Sequence, residues 1–352
     1  MSAARRPVTL RAPQTARLLG FTLLIANCVL LTAFDLPFER VLRHETFDIY
    51  QRWFPRERTD SPVVVVEIDE RSLREIGPWP WPRTRPAQLV ERLVVAGPAV
   101  IAIDALFIEP DRYSPESLIG VLDLPPAAEA PMRRHLPDSD GRFEAALRAS
   151  PVVLGAAGVT DAPTRTGRQP PLREYGGDPR AFVPHYDAVL SSLPLLVEAA
   201  RGEALLNGEP ERGVYRRLPT LATTGTSTVD ATLMPGLAIE TLRLASGGDP
   251  LLVDTGDDGL RRVGVAGIGI PVDRDGGWWI HFSPRGERPT LSAADVIQGT
   301  ADPASVAGRI VLVGYTALGL QDIVSTPIGR MPGPSAARGG LDRPQPRSHA
   351  PA

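Results

Sequence analysis

The stretch PVVVVEIDERSLREIGPWPWPRTRPAQLVERLVVAGPAVIAIDALF, residues 62–107, decides the fold. Val63–Asp69 is a β-branched run without polar alternation, as expected of a strand covered on both faces. Pro86 then opens a helical pattern with Leu89, Val90, Leu93 and Val94 on one side. Gly97 and Pro98 stop that helix, and Val100–Phe107 is a second apolar run. Strand, helix and strand in so short a stretch make a βαβ unit. The two strands should pair in parallel through a right-handed crossover. The implied class is α/β, with a mixed, largely parallel sheet flanked by helices.

The same reading extends in both directions. Upstream, ERVLRHETFDIYQRWFP (39–55) has helical apolar spacing and ends at Pro55. Downstream, helices are expected at Asp140–Ala149, Leu193–Ala200, Leu237–Ala245 and Ser292–Ile297, and strands at Val152–Ala156 and Arg309–Gly314. Gly213–Leu218 reads as a hairpin arm after a turn at Asn207–Pro210. Val263–Ile270 and Trp278–Phe282 read as an antiparallel pair joined at Asp273–Gly277. Asp161–Pro179, rich in Pro, Gly, Arg and Thr, reads as a surface loop.

A second feature lies at the N-terminus. Leu18–Phe34 carries no charge and is just long enough for a transmembrane helix. Arg5, Arg6, Arg11 and Arg17 precede it with no acidic residue among them, so the N-terminus should face the cytoplasm. The run lacks a small-x-small cleavage site, and Asn27 precedes Cys28 where a lipoprotein signal has Gly or Ala. The expected organisation is therefore a basic cytoplasmic segment (1–17), one transmembrane helix (18–34), an extracytoplasmic domain (35–333) and a disordered tail (334–352). That places the chain in the cytoplasmic membrane as a single-pass protein.

Composition narrows the chemistry. The net charge is −3 and lysine is absent, so nucleic acid is not an expected partner and no P-loop exists. One cysteine and five scattered histidines offer neither a disulfide nor a metal-ligand spacing, so no metal or cofactor is expected. No G-x-S-x-G elbow is present. Gly247-Gly248-Asp249-Pro250 has Pro250 where a cyclase G-G-D-E-F signature needs an acidic residue, and it follows a helix. GVAGIG at 264–269 lies inside an expected strand pair, the wrong setting for a phosphate loop.

Six ordered blocks carry a resemblance. They are FDIYQRWFP (47–55), PVVVVEIDERSLREIGPWPWPR (62–83), GPAVIAIDALFIEPD (97–111), RGVYRRLP (212–219), TLSAADVIQG (290–299) and GRIVLVGYTALGLQDIVSTPIGRMPG (308–333). With them the chain resembles the second type of CHASE domain, the extracytoplasmic sensory part of membrane cyclases, histidine kinases and diguanylate cyclases. The resemblance implies a non-enzymatic receptor for a small-molecule or environmental stimulus. It also implies further transmembrane helices and a cytoplasmic output after the sensor. The tail PSAARGGLDRPQPRSHAPA (334–352) departs from that plan, and the expectation is a sensor truncated before its output.

Ligands of parallel α/β sheets bind beyond the carboxyl ends of the strands. The polar residues there are Asp69 and Glu70 after the first strand, Asp104 after the second, and Tyr315-Thr316 after the last. Arg83, Glu109, Gln321 and Asp322 lie on nearby loops. Asp69, Glu70, Arg83, Asp104, Glu109, Thr316 and Asp322 are thus the candidate ligand-binding residues. The alternative for Asp69 and Asp104 is structural: strand-end aspartates commonly cap helices or brace loops. Trp79 and Trp81 read as a rigid lid, and Arg216 and Arg217 as a solvated or salt-bridged pair. Two other functions compete with sensing. One is an extracytoplasmic enzyme built on the strand-end carboxylates, and the other is a module that homodimerises through its N-terminal helices.

Overall fold

A computed structural model describes residues 21–23, 37–56, 61–122, 125–160, 167–208, 210–227, 231–284, 290–317, 323–334 and 341. The chain divides into two compact units, Met1–Phe54 and Pro55–Ala352. In the first, helix α1 (Pro37–Trp53) occupies the place expected for residues 39–55. The expected membrane span Leu18–Phe34 lies outside the described residues except for Phe21–Leu23, which are helical. Among the described residues, no helix is long and apolar enough to cross a membrane. Most of the tail 334–352 also lies outside them.

The second unit begins with strand β1 (Val63–Ile68), helices α2 (Glu70–Glu75) and α3 (Thr84–Val95), and β2 (Val100–Ile103). Helices α4 (Pro115–Leu122), α5 (Pro126–His135) and α6 (Ser139–Arg148) follow, then β3 (Val152–Val159) and β4 (Leu172–Gly176). Next come β5 (His185–Tyr186), β6 (Ala188–Leu190), α7 (Pro194–Ala199) and β7 (Gly202–Leu205). The middle of the unit holds β8 (Arg217–Pro219), β9 (Leu221–Thr224), β10 (Thr232–Pro235), α8 (Leu237–Ala245), β11 (Leu251–Gly256), β12 (Gly259–Val265), β13 (Ile268–Pro271) and β14 (Gly277–Trp279). It ends with β15 (Thr290–Ser292), α9 (Ala293–Gln298), β16 (Ile310–Tyr315), β17 (Ile323–Thr326) and β18 (Gly329–Pro332).

The main sheet has the order β15-β1-β16-β2-β3-β6, with β7 also pairing β3. Every pairing in it is parallel except β3 with β6, so the expected mixed, largely parallel α/β architecture is present. The valine run of β1 explains why this sheet is central. Val64 and Val66 pack into a core with Leu89, Val90 and Leu93 of α3, Phe143 and Leu147 of α6, and Leu196 of α7. Val63 faces the opposite core with Val100, Leu312 and residues of α8, β11 and β12. Alternate side chains thus feed two cores. Each buried valine contributes roughly 1.5–3 kcal/mol relative to exposure.

Four expectations are corrected. First, β1 and β2 are parallel but not neighbours. Strand β16, which arrives from the far end of the chain, lies between them, pairing Val63 with Ile310 on one side and Ile310 with Val100 on the other. Second, the Val100–Phe107 strand ends at Ile103. Beyond it the Asp104 amide donates to Val313 (2.8 Å) and the Phe107 amide to the Ser192 hydroxyl (3.2 Å), so the chain leaves the sheet with its polar groups satisfied.

Third, Val263–Ile270 does not pair with Trp278–Phe282. Strands β12 and β13 form their own hairpin around Ala266 and Gly267, whose φ values of 48° and 79° are those of a two-residue primed turn. The turn at Asp273–Gly277 exists, but it delivers β14 to β8. The hairpin expected at Gly213–Leu218 is replaced by this long-range pair. Fourth, Asp161–Pro179 is more than a loop: β4 pairs in parallel with β11, while 161–166 lie outside the described residues.

Candidate functional site

The parallel strands β1, β16 and β2 end together, and their carboxyl ends carry the candidates. At the end of β1, Asp69 is the N-cap of α2. One oxygen, Oδ1, accepts from the Ser72 amide (2.8 Å), the Ser72 hydroxyl (2.7 Å) and the Ser292 hydroxyl (2.9 Å). Ser292 in turn is the N-cap of α9, and the Ala294 amide donates to Ser72 Oγ at 3.1 Å. Asp69 therefore joins the starts of two helices. Burial alone would raise its carboxyl, but the donors from Ser72 and Ser292 outweigh that and hold it below its usual value. Glu70, in the first turn of α2, is exposed and faces the positive end of a helix dipole. Thr316 donates its amide to the Ile68 carbonyl at 3.2 Å and closes the β16 end onto β1.

Arg83 precedes α3 and is buried. Its guanidinium lies 4.6 Å from the Phe107 ring centre, donates from Nη2 to the Glu109 carbonyl (3.0 Å) and stands 3.6 Å from Asp140. The Arg83 amide donates to Asp111 Oδ2 at 2.8 Å, and the Asp111 amide donates to Asp140 Oδ2 at 2.9 Å. These bonds knot the 104–114 segment to α3 and α6. Burial pulls the Arg83 guanidinium below its usual range and pushes the Asp140 carboxyl up. Both directions have the same cause: at 3.6 Å the pair does not recover the lost hydration.

The structure separates the candidates. Arg83 and Glu109 line a cleft of about 260 Å³ with Trp79, Trp81, Ile108 and Asp111. Asp104 lines a different cavity of about 130 Å³ with Asn207, Tyr215, Gly236 and Leu237. Asp69 and Thr316 brace the β1 and β16 ends, Glu70 is exposed in the first turn of α2, and Asp322 lies outside the described residues. The side chains of Asp69 and Arg83 act as cap and knot, which is the structural alternative. The Asp104 cavity sits where the strand ends of β2 and β7 meet the start of α8.

The remaining motifs also resolve. Trp81 is buried, and Trp79 lies between Trp81 (5.4 Å) and Tyr315 (4.8 Å), a packed lid as expected. Arg217 pairs with Glu211, Asp273 and Asp275, while Arg216 is buried rather than solvated. Gly247 and Gly248 have φ of 106° and 83° and close the end of α8, so they form no cyclase signature. Sequence reasoning did not single out Ser72, Asp111, Asp140 or the buried Glu240–Arg243 pair. A D-x-x-S spacing at Asp69–Ser72 was the available signal for the first.

The model of the CHASE2 domain matches residues 22–336. The chain belongs to the CHASE2 family. This is an extracellular sensory domain family of signalling proteins, and sensing rather than catalysis is its role. No curated protein and no solved structure matches the chain. The CHASE2 match spans both the α1 helix and the α/β unit, so the strand-end caps and cavities described above all lie inside it.

Proposed function

We propose that this chain is a membrane-anchored receptor module whose α/β unit reads a small molecule outside the cytoplasmic membrane. The CHASE2 match across 22–336 carries the reading. Support for the anchor comes from the uncharged Leu18–Phe34 run and its four preceding arginines. Support for ligand sensing comes from cavities at the carboxyl ends of a parallel sheet, where α/β proteins hold ligands. The Asp69 carboxylate at the end of β1 is taken up as a helix cap, which speaks against acid–base turnover there. A thermal-shift screen of the full chain against small-molecule classes tests the proposal. A ligand-dependent rise in melting temperature without chemical change of the ligand is expected. Turnover of a bound compound would favour the enzyme reading instead.

A second reading concerns self-association. Leu42, Ile49 and Trp53 of α1 are exposed and recur at helical spacings of seven and four, an apolar stripe suited to a second copy. Oxidative crosslinking of Ile49→Cys in a Cys28→Ser background should give disulfide-linked dimers if α1 pairs with itself. A purely monomeric product would exclude that arrangement.

A further inference from the structure

One cavity lies away from every candidate above. It measures about 470 Å³ and is lined by Arg168, Ser191, Ser192, Val197, Glu198 and Glu203, among others. Its volume falls within the roughly 300–1,000 Å³ usual for small-molecule sites. Glu203 forms its inner wall. It sits on β7 opposite Leu154 of β3, so it shares that residue's sheet face, the one covered by α7. A carboxylate there is unusual, because the residue is only 2% exposed. One oxygen, Oε2, accepts from the Arg168 amide at 2.8 Å. The other, Oε1, is buried without a hydrogen-bond partner among the described residues.

The nearest cation does not satisfy it. The Arg168 guanidinium turns away and donates from Nη1 to the Ala200 carbonyl (2.8 Å) and the Val197 carbonyl (3.2 Å) at the end of α7. That contact suits a helix C-terminus, where carbonyls lack partners. It leaves Nε and Nη2 without hydrogen bonds among the described residues. A buried carboxylate with no ion pair among the described residues and an exposed guanidinium edge thus belong to the lining of one cavity without pairing with each other. An unpartnered buried carboxylate is costly unless something donates to it. Glu198 adds a second negative charge, so two carboxylates face one guanidinium.

We infer that this cavity binds an amino-acid zwitterion, its ammonium held against the Glu203 carboxylate and its carboxylate accepting from Arg168. The inference deepens the ligand-sensing reading above and rests on it. A ligand with both charges faces an opposite charge at each residue, whereas a simple amine or carboxylate does so at one. The surplus charge of Glu198 favours a second cationic group on the ligand side chain. Ser191 and Ser192 supply hydroxyls along the same wall.

Isothermal titration of the full chain with four probes tests this. L-norvaline carries both charges, butylamine lacks its carboxylate and pentanoate lacks its ammonium. L-ornithine adds a terminal ammonium to the norvaline skeleton. L-norvaline should bind at least about tenfold more tightly than butylamine or pentanoate, and L-ornithine more tightly still. Glu203→Gln should weaken L-norvaline at least about tenfold. Arg168→Gln, at an exposed position, should weaken L-norvaline by a similar factor and leave butylamine unchanged, which keeps the test open if Glu203→Gln fails to fold. Absence of binding by all four probes to the folded chain overturns the inference, as does L-norvaline binding that neither variant weakens. If another compound class still shifts the melting temperature, only this site fails. If no class does, the ligand-sensing reading fails with it.

Discussion

Asp69 and Ser292 are 223 positions apart, yet the Ser292 hydroxyl donates to Asp69 Oδ1 at 2.9 Å. That bond ties the end of the first strand to the start of α9, and the same carboxylate caps α2. Asp69→Ala removes three donors' acceptor at once. It should destabilise the chain by about 1–2 kcal/mol, the usual cost of a lost cap, with Asp69→Asn intermediate. Urea unfolding followed by circular dichroism measures this. A neutral Asp69→Ala would show that the cap contributes nothing.

The direction of the Asp69 shift sets an acid limit. A folded-state value below the ordinary 3.8 means the carboxylate contributes stability that is fully present above 3.8. That contribution is lost as pH falls through the lower folded value. The stability difference between wild type and Asp69→Asn should therefore be constant from neutral pH down to about 4.5 and shrink only below it. A difference that vanishes already at pH 6 would contradict this.

Arg83→Ala should cost about 3–5 kcal/mol, because it leaves the buried Asp111 and the partly buried Asp140 without its guanidinium. The pH dependence runs opposite to that of Asp69. Burial already holds Asp140 above its usual value, and loss of the guanidinium raises it further. A raised carboxyl favours the fold below the unfolded value, and that advantage is lost as pH rises through the folded value. The Arg83→Ala deficit should be smallest near pH 4.5 and grow toward neutrality in denaturant titrations. A deficit independent of pH would place its cause in lost packing on Phe107.

Inside α8, Arg243 and Glu240 form a bidentate pair at 2.7 and 2.8 Å, both almost fully buried. Arg243→Ala alone should destabilise by about 3–5 kcal/mol, since it strands the Glu240 charge. Replacing both with leucine should cost far less, because two desolvated charges leave together. A double-mutant cycle by thermal unfolding reads the coupling directly. Additive single effects would mean the pair is not coupled.

On α3, Leu93 is 1% exposed and Val95 is 87% exposed. Leu93→Ala should cost about 2–5 kcal/mol by leaving a cavity under the sheet. Val95→Ala should stay within about 0.5 kcal/mol of wild type. Equal effects at the two positions would show the helix face to be misassigned.

These residues also show where sequence reading reaches and where it stops. The valine run of β1 was legible because burial on both faces leaves only one kind of residue acceptable there. The end of α3 was legible from Gly97 and Pro98. The β8–β14 pair was not, because each partner is three residues long and neither carries a local signal. The candidate residues raise a different difficulty: polar residues at strand ends were found, but capping and binding require the same residue types. Only the donors around Asp69 and the acceptors around Arg83 show the structural role.

From the sequence alone came the α/β class, the two apolar strands, the helix between them and the order of family blocks. The first three depend on propensity and periodicity acting within a few residues, and the blocks on a resemblance. The tertiary structure alone decided that β16 separates β1 from β2, that Asp69 is a cap shared with Ser292, and that the buried Glu203 lines a cavity. Those features depend on contacts between distant segments, where register and burial are set by what packs on the other side rather than by neighbours along the chain.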